Sequence, residues 1–443
     1  MPTGRHTGVP ARQQGRKIMK KLIIALASLM VVACGSYDTA QLQAIPADVK
    51  QSIHAAVDNG HRPAVVVGLI NPQGVHFYAY GNTHADGATP ISAQSQFAIS
   101  SLTKLFTAQV LEEAVASGAV ALNTQLTAIW PGLVDNADTQ LIHLANHTAA
   151  LPRNIGNDVL VSNSTEGLLQ ALTRSSQLPA EHEYSSVGMA ILAQSLAQST
   201  QSEFVTLLNE SVIEPLGLEH TSYTPNLELL AGFHAGMTPL ETPAATPSVA
   251  YGAGGLYSTP ADLARFLQNQ ILQQRSLGWH RHDSNGYTAF YHGGEGSGHQ
   301  TFMAYRPDNQ VGVVLLTNTS ADDALQDIAL HLIDPRLELP SFEHPPYQRL
   351  SDADLAAFVG TYLLAENSAN NTITLTSQEG RLIYHERTPE GETVRRSPLF
   401  AIDAHRFELQ DVPVTIAFDE ESPDANALLI FGDQKLTLTR ATN

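Results

Sequence analysis

Apolar residues recur along this chain in two rhythms, and the switch from one to the other divides it. A helix-like segment runs from about Ala47 to Asn59. Two strand-like runs follow, RPAVVVGLIN and GVHFYAYG, parted by the turn-forming Asn71-Pro72-Gln73-Gly74. Helical spacing then dominates Ser101–Ser117, with Gly118 placed to cap its end. It returns in Thr165–Arg174, Val187–Gln198, Phe204–Ile213 and Pro260–Gln273. Strand character reappears in YTAFYHGG, HQTFMAYRP and VGVVLLTN, ahead of a last helix near Asp322–Ile333. Strands at both ends of a helical middle predict an antiparallel sheet built from both termini of one domain. That is an α+β arrangement, not a doubly wound parallel sheet.

Beyond this block the rhythm changes. DPRLELPSFEHPPYQRL carries four prolines in seventeen residues and reads as a stiff linker. After a short helical SDADLAAF, the runs NTITLT, RLIYHE, VPVTIAF and ALLIF alternate with turn or polar residues. They predict a small all-β domain.

The N-terminus is of another kind. Lys20 and Lys21 precede an eleven-residue, mostly apolar run, Leu22–Val32, too short to span a bilayer as a mature helix. It leads into VVAC, where Cys34 is the single cysteine of the 443 residues. This placement resembles a bacterial lipobox, so residues 1–33 are expected to be a leader and Cys34 the lipidated first residue of the mature protein. The alternative is a plain secretory signal that leaves one odd thiol, which secreted proteins seldom keep. The stretch before Met19 lacks signal character. Removing residues 1–33 takes away six basic and no acidic residues, leaving 18 basic against 43 acidic and a formal charge of −25. Such a surface repels nucleic acid and anionic headgroups, so membrane attachment is expected through acyl chains and nucleic acid is not an expected partner.

Lysine is scarce after the leader: Lys50, Lys104 and Lys435. Yet Lys104 stands inside FAISSLTKLFTA, an apolar, helix-prone run, three residues after Ser101. Residues i and i+3 share a helix face, so hydroxyl and amine can meet at the helix start. A serine hydroxyl is a weak nucleophile until a base takes its proton, and a lysine with its pKa lowered by desolvation can be that base. The apolar neighbours Phe97, Ile99, Leu102 and Phe106 suit such burial. A surface lysine on an ordinary helix would give the same spacing.

Two further signatures follow in order: Tyr184-Ser185-Ser186 and His292-Gly293-Gly294. With Ser101-Leu102-Thr103-Lys104 before them, and with HLANHTAALP, YGAGGLYSTPADLARFL and VGVVLLTN in support, the chain resembles the serine β-lactamase and penicillin-binding protein superfamily. The likeness is to its class C β-lactamase-like branch, which includes D-alanyl-D-alanine peptidases and esterases. The resemblance implies a β-lactamase/transpeptidase-like domain at 45–334, between a tether at 34–44 and the linker at 335–349. The domain at 350–443 looks like the barrel-type appendage found behind such domains. It implies that Ser101 is acylated, Lys104 takes its proton, and Tyr184 passes a proton to the leaving group or acts as a phenolate base. His292 would polarise Tyr184 or bind a substrate carboxylate. Gly293 and Gly294 would let substrate pair along the strand edge beside Ser186. The backbone N–H groups of Ser101 and Glu295 would form the oxyanion hole. No metal or organic cofactor is implied.

Departures shape the expected substrate, which is a D-alanyl peptide, a β-lactam or a small ester. Ser186 stands where the family commonly has asparagine, and a hydroxyl lacks a carboxamide's two-ended bonding to a substrate amide. His292 replaces the lysine of true β-lactamases, lowering positive charge at neutral pH. Both changes add weight to a carboxylesterase without a cell-wall role. A penicillin-binding or scaffold protein with negligible turnover is the reading from another class, opposed by the presence of Ser101, Lys104 and Tyr184 together. Among other histidines, His143 and His147 are four apart but have no acidic third ligand nearby, and are expected to be structural. His280, His282 and His299 are expected in loops. Gly252–Gly255 reads as a tight turn near the site, and Asp419–Glu421 as a solvated loop. The expected location is the bacterial cell envelope.

Overall fold

The alternation of buried positions is carried out in a computed structural model. It describes residues 44–441 apart from 84–88, 134–137, 173–177, 179, 235–237, 240–244, 285, 321–324, 343–347, 349, 365–370, 379–380, 410–413, 420–421, 423–425 and 432–433. The leader, Cys34, residues 35–43 of the tether, Arg174 and Glu421 lie outside the described residues.

Helix α1 (Ala47–Asp58) leads into strands β1 (Ala64–Asn71) and β2 (Gly74–Gly81). The helical middle includes α2 (Thr103–Ala116), α3 (Ser186–Thr200) and α4 (Pro260–Gln273). Then come β3 (His280–Ser284), β4 (Tyr287–Gly296), β5 (His299–Arg306), β6 (Val311–Thr317) and α5 (Leu325–Ile333). The sheet runs β2-β1-β6-β5-β4-β3, every neighbouring pair antiparallel. The N-terminal hairpin meets the C-terminal strands through β1 and β6, where Val67 pairs with Leu315.

Strands β1 and β6 are buried along their whole length, because helices cover both faces. Val66, Ile70, Met303, Tyr305, Val314 and Leu316 pack into one core with Leu263, Phe266 and Leu267 of α4. From the opposite face α1 packs on β1 and β2, and α5 on β5 and β6. Doubly covered strands need apolar residues at every position, hence the unbroken VVV and VVLL runs.

Three expectations are corrected. The segment Phe204–Ile213 is not one α-helix: it turns to π geometry over Asn209–Ile213 after Leu208. The helix at Thr165 ends at Leu169 in a 3-10 turn, Gln170–Leu172. His280 and His282 lie on strand β3 and His299 opens β5, so none of the three is a loop residue. The polar HRHDS run forms a strand because it is a sheet edge, paired on one side only and free to show polar residues to water.

The linker is docked. Ser52 Oγ donates to the Pro340 carbonyl at 2.7 Å and Asn59 Nδ2 to that of Phe342 at 2.6 Å. Past it, eight strands close a barrel: β7 (Gly360–Leu364), β8 (Thr372–Gln378), β9 (Arg381–Arg387), β10 (Thr393–Ala401), β11 (Arg406–Leu409), β12 (Val414–Phe418), β13 (Asn426–Phe431) and β14 (Gln434–Arg440). Tyr362 of β7 pairs with Arg440 of β14 to shut it. Ile373, Leu375, Leu382, Leu399, Phe407 and Phe418 help fill the interior, which is what an eight-stranded barrel of this size accommodates.

Candidate active site

Strand β4 runs against the turn that carries the first signature. A Cβ on Gly294 would sit 2.4 Å from the Ile99 carbonyl oxygen and 2.7 Å from Thr301 Oγ1, so only glycine allows this approach. Gly293 is less crowded, its nearest neighbours 3.7 Å away. Between Ile99 and α2 the chain makes a 3-10 turn, Ser100–Leu102, with Ser100 held at φ +45°. That left-handed residue turns the chain just before Ser101 and stores strain beside it.

In the first turn of α2, Lys104 Nζ lies 3.1 Å from Ser101 Oγ and donates to the Ala253 carbonyl at 2.7 Å. The side chain is 1 % exposed. Burial, and then the positive charge of Arg153, bring its pKa from 10.5 down to about 7. The N-terminal end of α2 opposes a protonated amine in the same direction. Gly252–Gly255 supplies the clamp. Gly252 takes φ +91° because a Cβ there would lie 2.5 Å from Ala193 Cβ on α3, and the turn presents the Ala253 carbonyl to Lys104 and that of Gly252 to Thr107 Oγ1.

The second signature enters through α3. Ser185 caps it, accepting from the Gly188 N–H at 2.9 Å and donating to the Pro152 carbonyl at 2.6 Å. This cap fixes the preceding Tyr184, which lines the site with Ser101 and whose ring centroid lies 4.9 Å from Lys104 Nζ. Burial raises the Tyr184 pKa, against the opposing pulls of the Ser101 hydroxyl and Arg153. Tyr184 is therefore a phenol at neutral pH, a proton donor and not a phenolate base. Ser186 borders Ser101 and Lys104 on a groove of about 700 Å³ with Ile155, Leu160 and Val161.

On β4, His292 is 1 % exposed, and its Nδ1 lies 2.7 Å from the Gly293 carbonyl. A carbonyl only accepts, so Nδ1 carries the hydrogen and Nε2 is a bare lone pair, buried without a partner. Burial first, then His280 and Lys104, push its pKa to about 3. His292 thus brings no cation to the site, which removes the basis for carboxylate binding by this residue. β3 begins at His280, opposite Tyr291, so among the described residues no strand covers the outer edge of His292–Gly296. That edge, with Ser101, Tyr184 and Glu295, lines a cleft of about 530 Å³.

Histidines that pattern reading had set apart gather here. His147 takes φ +58° after its short helix, accepts the Ser185 N–H at 3.1 Å, and lies 4.6 Å from Tyr184, ring to ring. Burial, with Lys104 and His182, holds its pKa at about 3. His280 stacks on His292 at 4.9 Å. His143 instead accepts the Gln140 N–H, and His299 joins Ala98 to Leu230. Among the described residues, no group of three His, Cys, Asp or Glu is arranged to hold a metal. Arg153 was also missed; it lines the cleft with its guanidinium 5.0 Å from the Tyr184 ring centroid. These groups are far apart in sequence, and no local spacing signals them.

A serine within 3.1 Å of a buried lysine amine, beside a phenol and an open strand edge on an α+β sheet, has the make-up of an acyl-transfer site, and the family model for beta-lactamase matches residues 49–334. The chain belongs to the beta-lactamase family of serine hydrolases. Among relatives, it is 30 % identical over 211 residues to the D-alanyl-D-alanine-carboxypeptidase/endopeptidase AmpH of Escherichia coli (strain K12), covering 44 % of this chain and 54 % of AmpH. It is 24 % identical over 252 residues to a beta-lactamase of the same organism, covering 55 % of this chain and 66 % of that protein. The chain thus spans about half the length of AmpH. The fold is that of the class C beta lactamase from Rhodobacter sphaeroides, with a TM-score of 0.57 at 16 % identity, covering 65 % of this chain and 98 % of that structure.

Proposed function

We propose that this chain hydrolyses amide or ester substrates through an acyl-enzyme on Ser101, with D-alanyl peptides as the leading substrates. One observation carries this: the 3.1 Å approach of a buried, near-neutral Lys104 amine to Ser101 Oγ. Lys104 takes the Ser101 proton as Oγ attacks the substrate carbonyl. The oxyanion is met by the N–H groups of Ser101 and Glu295. Tyr184 gives its proton to the leaving atom as the scissile bond breaks and regains one from Lys104. Water then releases the acyl group and restores Ser101. The likeness to AmpH supports a D-alanyl substrate. A small-ester reading is favoured by Ser186 and by the apolar groove it borders.

The chain is further proposed to sit in the cell envelope through a lipid on Cys34, on the strength of the leader and its lone cysteine. One experiment tests both. A fluorescent penicillin and a fluorophosphonate should label wild type and not Ser101→Ala, and the label should follow membranes in wild type but not in Cys34→Ser. Labelling by the phosphonate alone selects the esterase. Labelling by neither leaves a scaffold and ends the enzymatic reading.

A further inference from the structure

The cleft and the groove meet at Ser101, and they differ in kind. Tyr184 and Arg153 line the cleft; the groove carries Ile155, Leu160 and Val161. A proton donor must face the departing atom, so the leaving group exits into the cleft and the acyl part lies toward the groove.

What the cleft can recognise follows from its charges. His292 borders it as a neutral imidazole, its one N–H spent on the Gly293 carbonyl and its other nitrogen buried, so it offers a carboxylate neither charge nor donor. His280 is held toward the neutral form by burial, and Lys104 is buried against Ala253. Glu295 adds a carboxylate to the same lining. Against this stands Arg153, exposed on the cleft, permanently charged, and without a carboxylate ion-pair partner among the described residues. The whole chain is acidic, with a formal charge of −19, and among the described residues that line the cleft this guanidinium, beside the proton donor, is the one Arg or Lys side chain.

We propose that Arg153 determines specificity by binding a carboxylate on the leaving group, the role that the buried, neutral His292 cannot fill. The substrate class is an acyl compound with an anionic leaving portion, a feature that D-alanyl peptides and β-lactams share. A planar fork of donors suits two carboxylate oxygens at once. This inference rests on the acyl-transfer reading above.

The test compares the full chain on phenyl acetate and on 3-carboxyphenyl acetate at pH ~9, above the pKa of about 7 that Lys104 has in wild type, with each variant read as the ratio of its two rates so that any change in Lys104 cancels. Wild type should favour the carboxylated ester by about tenfold or more in kcat/KM, the size of one charge-assisted contact. Arg153→Ala should abolish that ratio, Arg153→Glu invert it, and Arg153→Lys keep part of it. A ratio unmoved by Ala and Glu overturns the inference. Wild type no faster than Ser101→Ala on both esters would instead defeat the acyl-transfer reading. The same ratio for an acyl-D-alanyl-D-alanine peptide against its C-terminal amide, and for a penicillin against its methyl ester, identifies the source: an Arg153-dependent preference in either pair supports the inference and names the ligand.

Discussion

The hydrolase core and the barrel are both tightly filled, but they bury different things. The barrel interior is aliphatic and aromatic, and apart from tyrosine hydroxyls its one buried polar side chain among the described residues is Ser397. Tyr362 satisfies its hydroxyl on the Phe358 carbonyl at 2.9 Å. The hydrolase core instead buries Lys104, His147, His292 and His299. Two of these rings, His147 and His292, keep a nitrogen without a partner. Three of these buried groups, Lys104, His147 and His292, gather around Ser101 and Tyr184, where catalysis needs groups with shifted proton affinity.

Removing the buried amine should break this contrast most sharply. Lys104→Met should lower the rate of Ser101 acylation by about 10²–10⁴ at neutral pH, the usual worth of a general base. The fold should gain. Lys104 loses its proton near pH 7 when folded but near 10.5 when unfolded, so between those values the unfolded chain binds the extra proton and stability climbs as pH rises. Urea titrations across that window should show the climb in wild type and a flat response in Lys104→Met.

A cavity in the barrel should do the reverse. Phe407, 1 % exposed against Phe358 and Phe418, should cost about 3–5 kcal/mol when cut to alanine. Acylation of Ser101 per folded molecule should stay at the wild-type rate. A parallel loss of acylation would show that the barrel shapes the site.

The smallest effect concerns His292. Its folded pKa of about 3 lies below the ordinary 6.5, so its contribution is complete above pH 6.5 and drains away as pH falls toward 3. By pH ~5.5 this costs on the order of 1 kcal/mol. His292→Gln should remove that part of the acid sensitivity, and an unchanged acid limb would show that the ring is charged in the fold.

Much of this contrast was legible in the chain. Ser101 and Lys104 sit one helical turn apart, and the VVV and VVLL runs read as strands of one antiparallel sheet. Tyr184 and His292 could be placed only through the order of the three signatures. What stayed hidden arises from folding itself. His147 and His280 reach Tyr184 because a left-handed residue and a sheet edge carry them there, and neither shows a periodic signal. Barrel strands such as Thr393–Ala401 begin with exposed polar residues, Thr393 and Arg396 included, so their alternation is blurred where one face meets water. His280 in a polar run read as loop because an edge strand is not obliged to look apolar.

The junction of β1 with β6 sets a schedule for synthesis. Val67 emerges early from the ribosome, yet its neighbour Leu315 is made only after α4 and the whole helical middle. Until then the hairpin has one strand edge unmatched and apolar, and it pays the closure entropy of that long excursion before any ladder forms.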